Sequence, residues 1–257
     1  MTPLAEMDPR GVTGVVFDVD DTITRDGVIE REAFEALWLL RERGLRAIAV
    51  TGRPLGWSDA LAATLPISAA VGENGAGWAW RRDRSIEVAA FDPPGVRATQ
   101  RALLDRVLAD VCARMPDVKL ASDQPARRAD LAFDVGEHEK LDAASIAELR
   151  AIIESHGARC MVSSVHAHAI PGAWDKASGV IRAAASLGID EATLQRDFVF
   201  VGDSGNDAAA FAFFSRTVGV ANVVAHLSSL PVAPRFVTTL DRGRGFAEVV
   251  RHLLSAP

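Results

Sequence analysis

The sequence predicts an α/β fold, a parallel sheet with helices on both faces, interrupted by a smaller α+β insert. Three observations predict it. Short apolar runs alternate with segments of helical period, carboxylates follow directly on two of those runs, and proline and glycine bracket a middle stretch where the alternation breaks.

The apolar runs at 14–18, 45–50, 67–71, 197–201, 216–220 and 235–238 each read as a strand buried on both faces. Helical patterns lie between several of them, over 30–43, 175–187 and 207–214. The first places Phe34, Leu37 and Leu40 or Trp38 on one face, with Gly44 as its stop. Strands alternating with helices imply right-handed crossovers and a parallel sheet. In the middle, 78–81 and 86–91 flank a polar turn and read as a hairpin, which Asp92-Pro93-Pro94-Gly95 ends. Beyond that turn the chain reads as a helix over 97–114, strands over 118–121 and 130–135, a helix over 142–156, and strands over 159–164 and 166–170. This helix-strand-strand unit used twice closes at Pro171-Gly172. The expected domains are therefore 1–92 with 172–257, and an inserted 93–171 joined by two linkers that permit hinge motion.

Composition excludes several classes. With 257 residues, 49% hydrophobic and 24% charged, the chain is an ordinary globular one. No apolar run approaches the roughly 18 residues needed to span a bilayer, and Glu6, Asp8 and Arg10 stand where a leader would be apolar. A cytoplasmic protein without a membrane partner is expected. A net charge of −6 and no long basic run give a nucleic-acid partner no electrostatic support. Cys112 and Cys160 lie far apart, so neither a disulfide framework nor a cysteine-rich zinc site is expected, and any metal must be held by oxygen, which favours Mg²⁺. A monomer or a homodimer is expected.

Four segments carry chemistry. The first strand runs straight into Asp18-Val19-Asp20-Asp21-Thr22, and in open parallel sheets ligands bind beyond the carboxyl ends of strands. Alternation aims Asp18 and Asp20 to one side, where two carboxylates stay ionised cheaply only with a cation between them. An Asp-rich turn is the alternative. Thr51-Gly52-Arg53-Pro54 follows the second strand and offers a hydroxyl and backbone N–H groups to an oxyanion or phosphate, though a strand stop would look alike. Asp175 is a credible N-cap, and Lys176 behind it opposes the helix dipole, a local cost that points to function. Gly202-Asp203-Ser204-Gly205-Asn206-Asp207 again delivers carboxylates to a strand end. No nucleophile elbow, nucleotide-binding loop or well-placed dinucleotide fingerprint occurs.

DVDDT, TGRP, DK and GDSGND, in this order at successive strand ends, resemble the four motifs of the haloacid dehalogenase-like (HAD) hydrolases. Gly72-Glu73-Asn74-Gly75-Ala76 and the place of the insert resemble subfamily IIB, the Cof-type and sucrose-phosphatase-like phosphatases. The resemblance spans the chain and implies a Rossmann-like core with a short-form C2B cap. It implies Asp18 as nucleophile, Asp20 as general acid and base, and Thr51 and Lys176 as phosphoryl-binding groups with Gly52, Arg53 and Asn206 beside them. Mg²⁺ would be held by Asp18, the carbonyl of Asp20, Asp203 and, as first or second neighbour, Asp207. The implied activity is hydrolysis of a small phosphate ester, most plausibly a sugar phosphate, through an aspartyl phosphate. A phosphomutase of the same subfamily or a non-catalytic phospho-metabolite-binding protein is the alternative.

In the insert, His166 and His168 share one strand face, and a polar surface is favoured over zinc because no cysteine or acid cluster lies nearby in sequence. Arg127, Arg128 and Ser163 complete the candidate substrate-reading set, with Ser164 beside them in the insert. The five tryptophans are expected to pack.

Overall fold

The computed structural model describes residues 1–163 and 165–255, with the backbone alone for Ser229. In chain order the elements are β1 (Thr2–Pro3), β2 (Gly14–Phe17), β3 (Thr24–Arg25), β4 (Val28–Ile29), α1 (Arg31–Glu42), β5 (Arg46–Val50), α2 (Leu55–Thr64), β6 (Ala69–Gly72), β7 (Gly77–Arg82) and β8 (Ser85–Ala90). The insert comes next, as α3 (Pro94–Arg114), β9 (Leu131–Asp134), α4 (Ala143–Ser155), β10 (Arg159–Val162) and β11 (His166–Ile170). The chain returns with α5 (Lys176–Ser186), α6 (Glu191–Asp197), β12 (Phe198–Gly202), α7 (Ala208–Phe213), β13 (Arg216–Gly219), β14 (Phe236–Val237) and α8 (Arg242–Leu254).

A nine-stranded sheet in the order β1-β14-β13-β12-β2-β5-β6-β7-β8 forms the larger layer, parallel from β1 to β6 and antiparallel through the β7–β8 hairpin. Alternation along the buried strands feeds two cores. Val15, Phe17, Val199 and Val201 face α1 and α8, whereas Val16, Ile48, Phe198 and Phe200 face α5, α6 and α7. Both faces are covered, which is why the strands read as unbroken apolar runs.

The α1 stripe differs from expectation. Ala33, Ala36, Leu37 and Leu40 are buried at three-and-four spacing, while Phe34 and Trp38 are exposed at 41% and 43%. The small alanines occupy the stripe and let the helix approach the sheet, so the large aromatics at the intervening positions turn outward. Gly44 ends the helix at φ 73°, the left-handed conformation glycine adopts freely.

The insert packs α3 and α4 on one face of a three-stranded antiparallel sheet, β10-β11-β9, around Leu104, Val107, Phe133, Leu149 and Ile152. The strand expected over 118–121 is reduced to a single bridge between Leu120 and Phe133. Its chain instead runs on into a 3₁₀ turn, Gln124–Ala126, which carries Asp123 and Arg127 toward the larger sheet. The expected helix over 97–114 starts three residues earlier, because Pro94 fits the first turn, where no N–H is needed. The strand expected over 159–164 ends at Val162, and Ser164 lies outside the described residues. On β11, Ala167 and Ala169 face the helices, which turns His166 and His168 to the opposite side.

Candidate active site

Adjacent strands β12, β2, β5 and β6 end together, and the loops after them converge. Asp18 follows β2 with its N–H on the Val201 carbonyl at 2.9 Å, which fixes its backbone against the neighbouring strand. Lys176 enters from the first turn of α5. Asp175 caps that helix by accepting from the Ser178 N–H at 2.8 Å, and Ser178 reciprocates to the Asp175 N–H. Close glycine contact sets the helix start, because a Cβ on Gly179 would fall 2.3 Å from the Gly75 Cα. Lys176 is thereby fully buried, its Nζ donating to Asp18 Oδ1 at 2.5 Å and Asp207 Oδ1 at 2.6 Å.

The loop after β12 is braced by Asp207, whose Oδ2 accepts from the Asp203 and Ser204 N–H groups at 2.8 and 3.1 Å. One oxygen from each of Asp18, Asp203 and Asp207 lies within 4.8 Å of the others. Burial pushes the Asp18 carboxyl up to about 7, with Lys176 opposing the shift and Asp207 and Asp20 adding to it. Asp203 is likewise pushed well above the usual carboxylate range, by burial first and then by Asp18 and Asp207. Lys176 keeps its proton because, against burial, the two carboxylates hold its ammonium above the ordinary lysine range.

These residues fit a hard divalent cation. Asp203 Oδ1 is a buried carboxylate oxygen without a partner, while its Oδ2 accepts from Asn222 Nδ2 at 3.2 Å. A cation beside Asp203 and Asp18 would satisfy that oxygen and reverse the cost of burying both carboxylates. Asp207 fits less well as a direct ligand, since Lys176 and two N–H groups already occupy its two oxygens. It acts as the brace of the loop.

The insert closes over this cluster. A cavity of about 10 Å³, room for one water, is lined by Asp18, Asp20, Gly52, Ser163, Val165, His166, His168, Ser204 and Asn206. Thus most of the sequence-predicted residues meet. Thr51 is fully buried behind Gly52, its hydroxyl accepting from the Arg53 N–H at 3.0 Å. Arg53 does not turn into the cavity. It binds Asp20 through Nε and Nη2 at 2.9 to 3.0 Å, and reaches across to Asp123 at 3.3 Å and Glu137 at 2.8 Å in the insert.

The insert residues divide. His166 and His168 are 1% and 0% exposed, so the polar surface expected of them is corrected. The acids missing nearby in sequence are supplied by folding: Glu137 meets His166 Nε2 at 2.9 Å and Asp130 meets His168 Nδ1 at 2.9 Å. Arg127 is buried against Asp123 and Asp130 of the insert itself, and one Nη1 bond, to the Gly52 carbonyl at 2.8 Å, joins the insert to the loop after β5. Arg128 is not brought to the cavity at all. It pairs with Asp59 on the surface at 2.7 Å, because the 128–130 backbone N–H groups are the ones turned inward, onto the Glu73 carboxylate.

Sequence reasoning passed over Glu73, Asn74, Asp123, Asp130 and Glu137 as individual contributors. Glu73 accepts four N–H bonds, from Leu55, Arg128, Ala129 and Asp130, and so rivets the insert to the loop after β6. The acids flanking β9 were the available signal, but only strand register shows that they face the histidines of β11. Trp174 packs as expected, buried with its indole N–H on the Glu73 carbonyl at 3.1 Å.

No protein-family model matches the sequence, and no curated protein does. Solved structures do match. A protein of Thermoplasma acidophilum superposes with a TM-score of 0.72 at 21% identity, covering 95% of this chain and 98% of its own. The sucrose-phosphatase of Synechocystis, solved with sucrose and phosphate, gives 0.67 at 15% identity, covering 94% and 98%. A HAD subclass IIB sugar phosphatase gives 0.64 at 16% identity, covering 94% and 98%. The chain shares the fold of these solved structures. Residues 94–170 pack over the strand ends of the larger sheet, and the cavity is closed between the two. Among the described residues no helix is long and apolar enough to cross a membrane.

Proposed function

We propose that the chain is a phosphatase that hydrolyses a small phosphate ester through an aspartyl phosphate on Asp18, with residues 93–171 as a cap over a core of 1–92 and 172–257. The observation that carries this is the buried cluster: a nucleophile-grade carboxylate on Asp18, a lysine 2.5 Å from it, and a bare Asp203 oxygen beside them. Mg²⁺, held by Asp18, Asp203 and the Asp20 carbonyl, would supply the positive charge that lets a carboxylate approach a phosphoryl dianion.

The chain's own residues do the rest. Lys176 fixes Asp18 Oδ1 and leaves Oδ2 to attack phosphorus as the P–O bond to the leaving group breaks. Asp20 gives its proton to the departing alkoxide, then takes one from the water that attacks the acyl phosphate. In the closed arrangement Arg53 holds Asp20 as an ionised carboxylate and joins it to Asp123 and Glu137 of the cap. Asp20 therefore takes up the proton that it donates when Arg53 is drawn away with the cap. The Gly52 N–H orients the phosphoryl oxygens, with Asn206 across the cavity, and Thr51, whose hydroxyl accepts from the Arg53 N–H, shapes the turn that presents Gly52. Closure over the site excludes water from the first step. A sugar phosphate is the substrate class we favour, because the cap lines the cavity with hydrogen-bonding groups and has spent Arg127 on its own carboxylates. The same pairing leaves Arg127 neutralised by two carboxylates, which disfavours it as a clamp for the second phosphate a mutase must hold. A cytoplasmic setting and action as a monomer or homodimer fit this proposal.

The test is phosphate release from a panel of sugar, nucleotide, glycolate and glycerate phosphates. Release that requires Mg²⁺, stops with chelator and falls more than about 1,000-fold in Asp18→Asn is expected. Full activity in excess chelator, or an Asp18→Asn variant within tenfold of the parent, would remove the proposal.

A further inference from the structure

Besides the Asp203 oxygen, two buried side-chain nitrogens near the cavity have no hydrogen-bond partner among the described residues. His168 is fully buried, with Nδ1 2.9 Å from Asp130 Oδ2 and nothing bonded to Nε2. Asn74 is also fully buried: its Oδ1 accepts from Asn206 Nδ2 at 3.1 Å, Asn206 in turn accepts from the Ser204 hydroxyl at 3.1 Å, and Asn74 Nδ2 is left bare. One comes from the cap and the other from the core. They converge on Gly52, where a Cβ would stand 3.1 Å from His168 Nε2 and 3.3 Å from Asn74 Nδ2.

Their hydrogen-bonding characters are fixed by what holds them. Asp130 also pairs with Arg127 at 3.1 Å, so it is an ionised acceptor, the shared proton sits on His168 Nδ1, and Nε2 presents a lone pair. Asn74 spends its oxygen on Asn206 and presents N–H. A phosphoryl oxygen accepts only and would face the His168 lone pair, whereas an ammonium donates only and would face the Asn74 N–H. A hydroxyl answers both.

We propose that Asn74 and His168 form a clasp for one hydroxyl of the leaving group, vicinal to the phosphate ester, with Asn74 donating to its oxygen and His168 accepting its proton. The inference rests on the phosphatase reading of this site. The vicinal position comes from the size of the cavity: Gly52 and His168 border the same 10 Å³ space as Asp18 and Asp20, so the hydroxyl lies within a few bonds of phosphorus. An ester without it leaves the donor and the acceptor bare or to a trapped water each time the cap closes, a deficit that discriminates against such ligands.

The experiment measures affinity by calorimetry in Mg²⁺ buffer, using full-length Asp18→Asn so that esters bind without turnover. The probes are 2-hydroxyethyl phosphate and ethyl phosphate. The first should bind at least about 10-fold tighter. Adding His168→Asn, whose amide N–H replaces Nδ1 against Asp130 and leaves no atom at Nε2, should bring the ratio close to one by weakening only the hydroxylated ester. Asn74→Gly, at a position of φ 54° that glycine accepts, should do the same and stands in if the histidine variant fails to fold. Equal affinity for the two esters in Asp18→Asn, no binding of either, a ratio that survives both substitutions, or equal weakening of both esters would overturn the clasp. Phosphate release by the unaltered enzyme is read in parallel. A binding ratio without release refutes the phosphatase and keeps the clasp, and release without a ratio refutes the clasp alone.

Discussion

Lys176 stands between two carboxylates that would otherwise be buried without compensation, Asp18 at 2.5 Å and Asp207 at 2.6 Å. Removing one partner of a buried ion pair costs about 3–5 kcal/mol, so Lys176→Met should lower the unfolding free energy in urea by that much as well as stop turnover. A variant as stable as the parent would mean that the carboxylates are not held by this lysine. The two cap histidines make a second test. Burial first, and Arg127 among the nearby charges, hold His166 and His168 below the ordinary imidazole value of 6.5, whereas the unfolded chain protonates them near 6.5. The unfolded state therefore binds more protons as pH falls below 6.5, and stability present above that pH is lost toward the lower folded values, by at most about 1.4 kcal/mol per pH unit for each histidine. Urea unfolding between pH 7 and 5 compares the parent with His168→Asn, because Asp18, Asp203 and Glu73, held high by burial, contribute the opposite slope to both, and the parent should lose more stability toward pH 5 than the variant. An unchanged slope would show that His168 is not the group being charged. At this scale the sequence displayed Asp18, Asp20, Lys176 and Asp203, because each follows a strand end or opens a helix. It did not display Asp130 or Glu137, whose meaning depends on the partner that β11 places opposite them.

Secondary structure was legible where a run of residues declares its burial. β2, β5, β6, β12 and β13 are apolar on both faces because helices cover both, and Asp175 announced α5 by its cap. The two-residue strands β3 and β4, just after Asp21, are too short to show a period, and the stretch over 118–121 has the composition of a strand but only one bridging partner. The stripe of α1 misled because size was weighed above position: Ala33 and Ala36 are buried while Phe34 and Trp38 are not. Glycine contact, also invisible in a pattern, is what aligns α5 with the site. Gly179→Ala would force its Cβ to 2.3 Å from the Gly75 Cα and push the start of the helix, with Lys176, away from Asp18. Overpacking of this kind costs roughly 1–3 kcal/mol, and turnover should fall at least tenfold alongside it. Parental stability and turnover together would show that the contact does not position the lysine.

In the whole molecule the cap is stitched to the core by Arg53 on Asp123 and Glu137, Arg127 on the Gly52 carbonyl, and Glu73 on the 128–130 backbone. The proline and glycine brackets made the insert visible in the sequence, but which of its faces meets the core is a product of β-alternation and register that composition does not carry. Core and insert residues line the cavity together, so on the proposed function an ester enters and leaves only when the cap opens. A Cβ on Gly56 would lie 3.5 Å from the Ala126 Cβ, within disulfide reach across the boundary. Gly56→Cys with Ala126→Cys should lose turnover on oxidation and regain it on reduction, and turnover undiminished in the cross-linked form would mean that opening occurs elsewhere. The covalent role proposed for Asp18 can be read directly. The enzyme turning over a ³²P-labelled ester is quenched in acid and reduced with borohydride, and residue 18 is identified by mass spectrometry. The account predicts acid-stable label on the protein and conversion of Asp18 to homoserine, both lost in Asp18→Asn. Steady phosphate release with neither label nor conversion would contradict it.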